Sequence, residues 1–313
     1  ELMSWLSKFD GVAFHFEVVG DLLTKDLLDF LETVPKGMFQ FELGVQTTDQ
    51  SSQEKIKRKQ NNQKLFSAIE RLISSNLIHI HCDLIFGLPG ETIDDILNSF
   101  EEVCMLLPHE LQLGFLKFLP GAPIKKIIDD YGYEYQSTPP YEFILNNNLS
   151  ASQLNYLKKF EDIFDIFYNS KRFRFTVQFL LKKLPAIKVF NLLLEHMESN
   201  NLLNQPHSLN SQYKIIHDTF DLDSASASLD ILRLDYLYAQ RVYRLPGFLE
   251  IDGARQKTWE GDKKTPLVPF LHTINISKGK LEIKPASSMQ FCAVVHPTEP
   301  SGYLSPPCLN WVS

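Results

Sequence analysis

HIHCDLIFGLPGET, residues 79–92, is the stretch whose reading decides the fold. Ile80, Cys82, Leu84 and Phe86, in step with Ile78 before them, alternate with His79, His81 and Asp83, and a period of two puts these sets on opposite faces of a strand. A parallel strand packed under helices is normally apolar on both faces, so a polar face here marks a site-building element. Gly87 and Gly90 bracket Leu88 and Pro89 in a turn, and Thr92 with Asp95 three residues on forms a capping box for the next helix. Taken alone, the same pattern also fits a βα turn that merely closes a barrel.

The totals bound what is built around this stretch. A chain of 313 residues supports a sizeable core and two or three domains, and 44% apolar with 22% charged residues excludes wholesale disorder. A formal charge of −7 argues against a general nucleic-acid or membrane-surface binder, although the runs EKIKRK (54–59) and NSKRFRF (169–175) offer local anion sites. No apolar run is long enough to span a bilayer, and ELMSWLSKFDG at the start has no basic segment followed by an apolar core. A cytoplasmic protein is expected. Cys82, Cys104, Cys292 and Cys308 show no CxxC spacing, so neither a zinc ribbon nor a local cluster motif is present and reduced thiols are expected. The chain opens on Glu1 and enters a strand-like run almost at once, as a fragment would.

Outward from the central stretch the pattern repeats as strand, turn and amphipathic helix. Strands are predicted near 12–19, 38–46, 77–86 and 111–118, with helices near 24–33, 62–76 and 93–107; Leu65, Phe66, Ile69, Leu72 and Ile73 illustrate the three- and four-residue spacing. Such alternation with right-handed crossovers gives a parallel sheet, open or rolled into a barrel. FLPGAPIKK and the proline-bearing 131–141 then predict a boundary. Helices follow near 150–167, capped by Ser150 or Ser152, then near 173–184, 187–197 and 231–243; 201–226 reads as a polar loop. HTINI, KLEIK and QFCAVVH read as a small antiparallel element. The predicted fold class is α/β: a partial parallel (β/α) barrel over 1–127, a mostly helical domain over 128–248 and a short β-rich tail over 249–313.

Strand parity adds a constraint. His15 and Glu17 share the polar face of FHFEV; Gln40, Glu42, Gly44 and Gln46 share that of MFQFELGVQ; Gln112 and Gly114 follow in the fourth strand. Polar groups on a barrel interior are costly unless they bond to each other or to a ligand, so a hydrophilic concave surface for a small, polar molecule is predicted. His79 and His81 at i, i+2 suit either a metal or, with no third clustered ligand, barrel-lining histidines; Glu42 suits a substrate contact or an ion pair. Asp49, Thr47 and Thr48 cap the next helix, and Tyr168, Asn169, Lys171 and Arg172 read most simply as a helix end.

FELGVQT (41–47), IKR (56–58) and DLIFGLPGET (83–92) resemble the second half of the radical S-adenosylmethionine barrel. LQLGFLKFLPG (111–121), YGYEYQSTPPYE (131–142) and FYNSKRF (167–173) are similar to the B12-binding radical SAM proteins with a C-terminal helical domain, relatives of the anaerobic magnesium-protoporphyrin monomethyl ester cyclase. The resemblance covers about residues 10–200. It implies that Glu17 receives the methionine amino group, that Gln46 and Asp83 hold the ribose hydroxyls, that Arg58 pairs with the methionine carboxylate, and that the turn at Leu88 and Gly90 lies against the adenosyl group. His15, Glu42, His79, His81 and Gln112 would line the substrate cavity. The implied cofactors are S-adenosylmethionine, a [4Fe–4S] cluster and cobalamin.

The CxxxCxxC loop that holds such a cluster is absent from these residues, as are the glycine-rich segment of the second barrel strand and a cobalamin-binding domain. Metal ligands are therefore expected outside this chain, on the missing N-terminal half of the same protein. The function expected is that of a C-terminal fragment of a radical SAM enzyme, with a cluster-free, barrel-derived interaction or scaffold module without catalysis as the alternative. A lyase or aldolase of the TIM-barrel type would need a strand-end lysine, and Lys117, the one candidate, has the wrong parity.

Overall fold

The computed structural model describes residues 2–9, 11–223, 226–239, 245–251, 257–259, 262–277, 280–295 and 308–312. The chain divides into two compact units, Glu1–Asp162 and Ile163–Ser313.

In the first unit a short helix, α1 (Leu2–Leu6), precedes β1 (Phe14–Val18), α2 (Lys25–Leu31), β2 (Phe39–Gln46), α3 (Gln50–Lys55), α4 (Asn62–Ser75), β3 (His79–Phe86), α5 (Ile93–Cys104) and β4 (Glu110–Phe115). The four strands form one parallel sheet in the order of the sequence. Phe39, Phe41, Leu43 and Val45 of β2 and Ile80, Cys82, Leu84 and Phe86 of β3 are buried, together with Ile69 and Leu72 of α4 and Ile96 and Phe100 of α5. Each such side chain contributes roughly 1.5–3 kcal/mol over leaving it in water, so this face is the core. The intervening residues are half-buried on both central strands and form the opposite, polar face.

Local chemistry sets the element ends. Asp49 caps α3 through the Ser52 N–H, Asn61 caps α4 through the Lys64 N–H, and Thr92 with Asp95 completes both halves of the predicted capping box on α5. Gly87 and Gly90 take φ of +86° and +76°, the left-handed region in which a side chain is strained.

After β4 the chain does not leave the first unit at residue 128. The fourth strand stops at Phe115 rather than 118; Lys117 forms an isolated antiparallel bridge with Glu142 and is exposed. Beyond α6 (Ile128–Tyr131) a small hairpin, β5 (Glu134–Tyr135) and β6 (Phe143–Leu145), runs back along 116–118, with the Phe118 N–H donating to the Tyr141 carbonyl and the Phe143 N–H to the Leu116 carbonyl. Helix α7 (Ala151–Phe164) carries the chain into the second unit, its start fixed by the Ser150 hydroxyl and the returning Gln153 side chain.

The second unit holds α8 (Arg174–Leu181), α9 (Ala186–Ser199), α10 (Leu209–Thr219), α11 (Ala227–Ala239), β7 (Lys257–Trp259), β8 (Asp262–Ser277), β9 (Lys280–Val295) and β10 (Cys308–Val312). The four strands form an antiparallel sheet in the order β10-β9-β8-β7, with two 16-residue strands where short runs were expected. The segment 201–226, expected as a loop, contains α10. Ser208 caps it, and only Gln212, Tyr213, Ile215 and Ile216 are buried, so its polar outer face hid it. Tyr168 and Asn169, expected to end a helix, lie in one π-helical turn, 165–169. The helix expected over 231–243 is α11, which starts four residues earlier; 240–244 lie outside the described residues.

Helix α11 is buried nearly all round, and its charged residues are bonded rather than solvated. One Asp230 oxygen takes the Arg233 guanidinium, and the other takes the Leu271 and His272 N–H groups. Asp235 takes the Phe175 and Thr176 N–H groups and the Thr176 hydroxyl at the start of α8. Replacing Asp235 by Ala leaves those donors buried without a partner; the variant is expected to lose about 2–4 kcal/mol. An earlier denaturation midpoint for the second unit, followed by its tyrosine signal, checks this.

Candidate functional site

The C-terminal ends of β2 and β3 build the site. At the end of β2 the pairing slips: Gly44 lies opposite Asp83, Gln46 opposite Leu84, and Val45 is the extra residue of a bulge. Gln46 takes φ of +66°, unusual for a residue with a side chain, and its amide folds back to within 2.6 Å of where a Cβ on Gly44 would sit. The Arg58 guanidinium donates to the Gly44 carbonyl and, through Nε at 2.8 Å, to Gln60. Its burial lowers its pKa, against the pull of Asp21. The Gln46 and Arg58 side chains thus meet at one peptide, Gly44, with the Asp83 backbone opposite it.

Glu17 is placed differently. It lies on β1 in register with Glu42, two residues before the level of Gly44, and is exposed. Glu42 bonds to His15 at 3.1 Å, which is the ion-pair option for that residue. His79 lies 5.3 Å from the ring of His109, whose Nδ1 accepts the Ile80 N–H. Gln112 is exposed opposite Asp83 on β4.

His81 Nε2 and Asp83 Oδ1 approach to 3.1 Å, yet neither buried atom has an aligned hydrogen-bond partner. The contact is a charge approach across one strand face, and the carboxylate raises the imidazole pKa against the lowering by burial. The contacting atoms of the His81–Asp83 pair are thus buried on the polar sheet face, each facing the other.

The glycine turn is held by a residue that the sequence did not single out. Glu91, 1% exposed, accepts the Gly87 and Leu88 N–H groups on one oxygen and the Thr47 hydroxyl, at 2.7 Å, on the other. Thr47 also meets Ser99, which takes the Thr48 N–H and hydroxyl, while Gln53, Gln60 and Asn62 bond the Thr47 and Thr48 carbonyls. The signal was an acidic residue between a Gly-x-Pro-Gly turn and a helix cap, where it can reach backward to the turn amides. Gly87, Leu88 and Pro89 are buried, and Gly90 is the partly open residue of the turn, with the Lys55 ammonium 2.0 Å from where a Cβ would project. An open cavity of about 660 Å³ adjoins Arg58, lined among others by Asp21, Gln53, Gln60 and Asn62.

Comparison with known proteins gives two adjacent matches. Residues 4–103 match the radical SAM superfamily, and residues 129–267 match a family described as a protein of unknown function, DUF4080. The segment that matches the radical SAM superfamily is the one that carries β1, β2 and β3 of the four-stranded parallel sheet. Among individual relatives, the chain is 31% identical over 138 residues to a heme chaperone, HemW, from Buchnera aphidicola subsp. Acyrthosiphon pisum, a match covering 44% of this chain and 34% of the relative. Among solved structures, coproporphyrinogen III oxidase (HemN) from Escherichia coli, described as a radical SAM enzyme, superposes with a TM-score of 0.33 at 21% identity over 42% of this chain and 37% of that one. The chain spans about a third of the length of the relatives it matches.

Burial pushes the Glu91 carboxyl up from its ordinary 4.5 to about 8, despite the three hydrogen bonds it accepts. The folded state therefore holds this proton more tightly than the unfolded chain, and the stabilisation, full below the ordinary value, falls as pH rises toward 8. Asp235, pushed up to about 7, acts in the same sense in the second unit. Glu91→Gln, which keeps the shape, is expected to flatten the fall of the first unit's melting temperature between pH 5 and 8. Melting curves of both proteins across that range check it.

Proposed function

We propose that the chain is the C-terminal part of a radical S-adenosylmethionine enzyme and supplies one wall of its S-adenosylmethionine site and much of its substrate cavity. The observation that carries this reading is that Gln46, Arg58 and the Asp83 backbone meet at Gly44, beside a clamped glycine turn, within a segment that matches the superfamily. Asp83 and Gln46 would take the ribose hydroxyls, Arg58 the methionine carboxylate and Glu17 the amino group, while the backbone around Gly90 would face the adenosyl part. S-adenosylmethionine held there would be a source of carbon-centred radical chemistry; the residues of this chain would bind it, orient it and exclude water.

Fit differs between the cofactors. An acidic side chain on the polar sheet face and a turn whose Gly90 is partly exposed suit a ribose and a nucleoside. The described cysteines do not suit a cluster: Cys82, Cys104 and Cys292 are each buried, burial raises the thiol pKa of Cys82 and Cys104, and no group of three or more His, Cys, Asp or Glu side chains suited to a metal occurs among the described residues. The proposal accordingly puts the cluster ligands on sequence outside residues 1–313. The cobalamin association, implied by the stretches after residue 111, is its finest part and engages no residue assigned here. No helix among the described residues is long and apolar enough to cross a membrane.

Half a site binds weakly. Isothermal titration of the chain with S-adenosylmethionine is expected to give a dissociation constant on the order of 10–100 μM, weakened about tenfold by Asp83→Asn, the worth of one charge-assisted hydrogen bond. Nanomolar binding without iron would sink the half-site picture. No binding at all, with the fold intact, would favour the cluster-free module.

A further inference from the structure

Two groups outside the polar sheet face meet the glycine turn, and both come from the hairpin that follows β4 or the residue just before it. The Tyr133 hydroxyl, on a residue 5% exposed, donates to the Gly87 carbonyl at 2.8 Å. The Phe143 ring covers the α-carbon of Gly87 so closely that a Cβ there would meet it at 2.2 Å. The two rings pack edge to face at 6.1 Å, and Phe118 closes the cluster 4.9 Å from Tyr133. Asn146, beside the Tyr133 hydroxyl, spends its carbonyl on the Asn148 and Leu149 N–H groups and fixes the chain just after β6.

Gly87 is thus held on both sides. Its N–H and that of Leu88 go to Glu91 from within the radical SAM segment, while its carbonyl goes to Tyr133, which belongs to the adjoining segment that matches a different family. A carbonyl at the end of a strand in a parallel sheet normally finds water or the next loop; here a side chain from 46 residues downstream takes it. The glycine is required twice over, by its positive φ and by the ring above it.

We propose that Tyr133 is a positioning residue for the ligand-binding turn, and that the β5–β6 hairpin is a strap fixing Gly87–Gly90 through the Tyr133 hydroxyl and the Phe143 ring. That the turn binds a ligand rests on the reading above; that the strap holds it does not. The adjoining segment would then tune the affinity of a site to which it contributes no ligand contact of its own.

Hydrogen exchange by mass spectrometry on the full chain, with and without S-adenosylmethionine, tests this in Tyr133→Phe. Tyr135→Phe serves as control, since it removes a hydroxyl from the same hairpin at a ring that meets Phe118 and Lys125. Losing one buried hydrogen bond should speed exchange of the peptide over 86–92 about fivefold to tenfold and weaken S-adenosylmethionine by a similar factor, with the rest of the first unit unchanged. The control should match wild type. Unaltered exchange at 86–92, or an equal acceleration across the whole unit, overturns the proposal. Local acceleration in a protein that binds no S-adenosylmethionine in either form supports the strap and rejects the assigned ligand. Should Tyr133→Phe not fold, Phe143→Leu, which removes the ring from above Gly87, is read by the same criteria.

Discussion

The buried hydrogen bond between Thr47 and Glu91 is the constraint on which the rest of the first unit depends. It ties the end of β2 to the turn after β3, two points 44 residues apart in sequence, at a place where neither has a strand partner left. A carboxyl group taken out of water is expensive unless its acceptors are occupied, and here both Glu91 oxygens are. The Ser99, Gln53, Gln60 and Asn62 side chains occupy the Thr47 and Thr48 backbone in turn, so the network is close to fully satisfied. Such a network resists partial change, because removing any member strands the others. That rigidity fixes the bulge at Val45 and the left-handed Gln46, and with them the direction in which Gly44 meets Arg58.

Beside this satisfied layer, the polar sheet face is held by charge pairs. His81 and Asp83 approach without aligning, and Glu17, Glu42 and Glu110 sit across the strands on the same row as His81. A folded core has no use for such a row, and the apolar face alone would hold the helices. The rim is thus clamped by a closed hydrogen-bond network, while the floor carries a row of acidic side chains about one histidine.

The period-two alternation made the sheet and its polar face legible, because parity alone fixes which face a strand residue occupies. Asp83, Gln46 and Arg58 were singled out by their motif and lie about one peptide, Gly44; Glu17 was singled out by the same route and lies apart on the edge strand. Glu91 escaped because its role is to reach back onto backbone, which leaves no periodic trace. Helix α10 escaped because its solvent face outweighs four buried residues. The charges on α11, with Asp230 and Arg233 fully buried, pair locally at i, i+3, but their other partners lie 16 to 60 residues distant, and no local pattern announces those. What is written locally was readable; what depends on which distant groups meet was not.

The two family matches and the compact units divide the chain at different places, and the packing explains why. The radical SAM match ends at 103 and the second begins at 129, where proline and glycine also suggested a boundary, yet the first compact unit continues to 162. Phe143 and Tyr133 cover the turn, Phe118 bonds to Tyr141, and Phe160 on α7 packs edge-on against Phe100 of α5 at 4.9 Å. A chain cut at 128 would expose Phe100 and Phe118, both fully buried, and leave the Gly87 carbonyl to water. The opening stretch of the second family is therefore structurally part of the first unit. A matched segment and a compact unit need not share a boundary; here the overlap of about thirty residues puts a tyrosine from the second match against the glycine turn of the first.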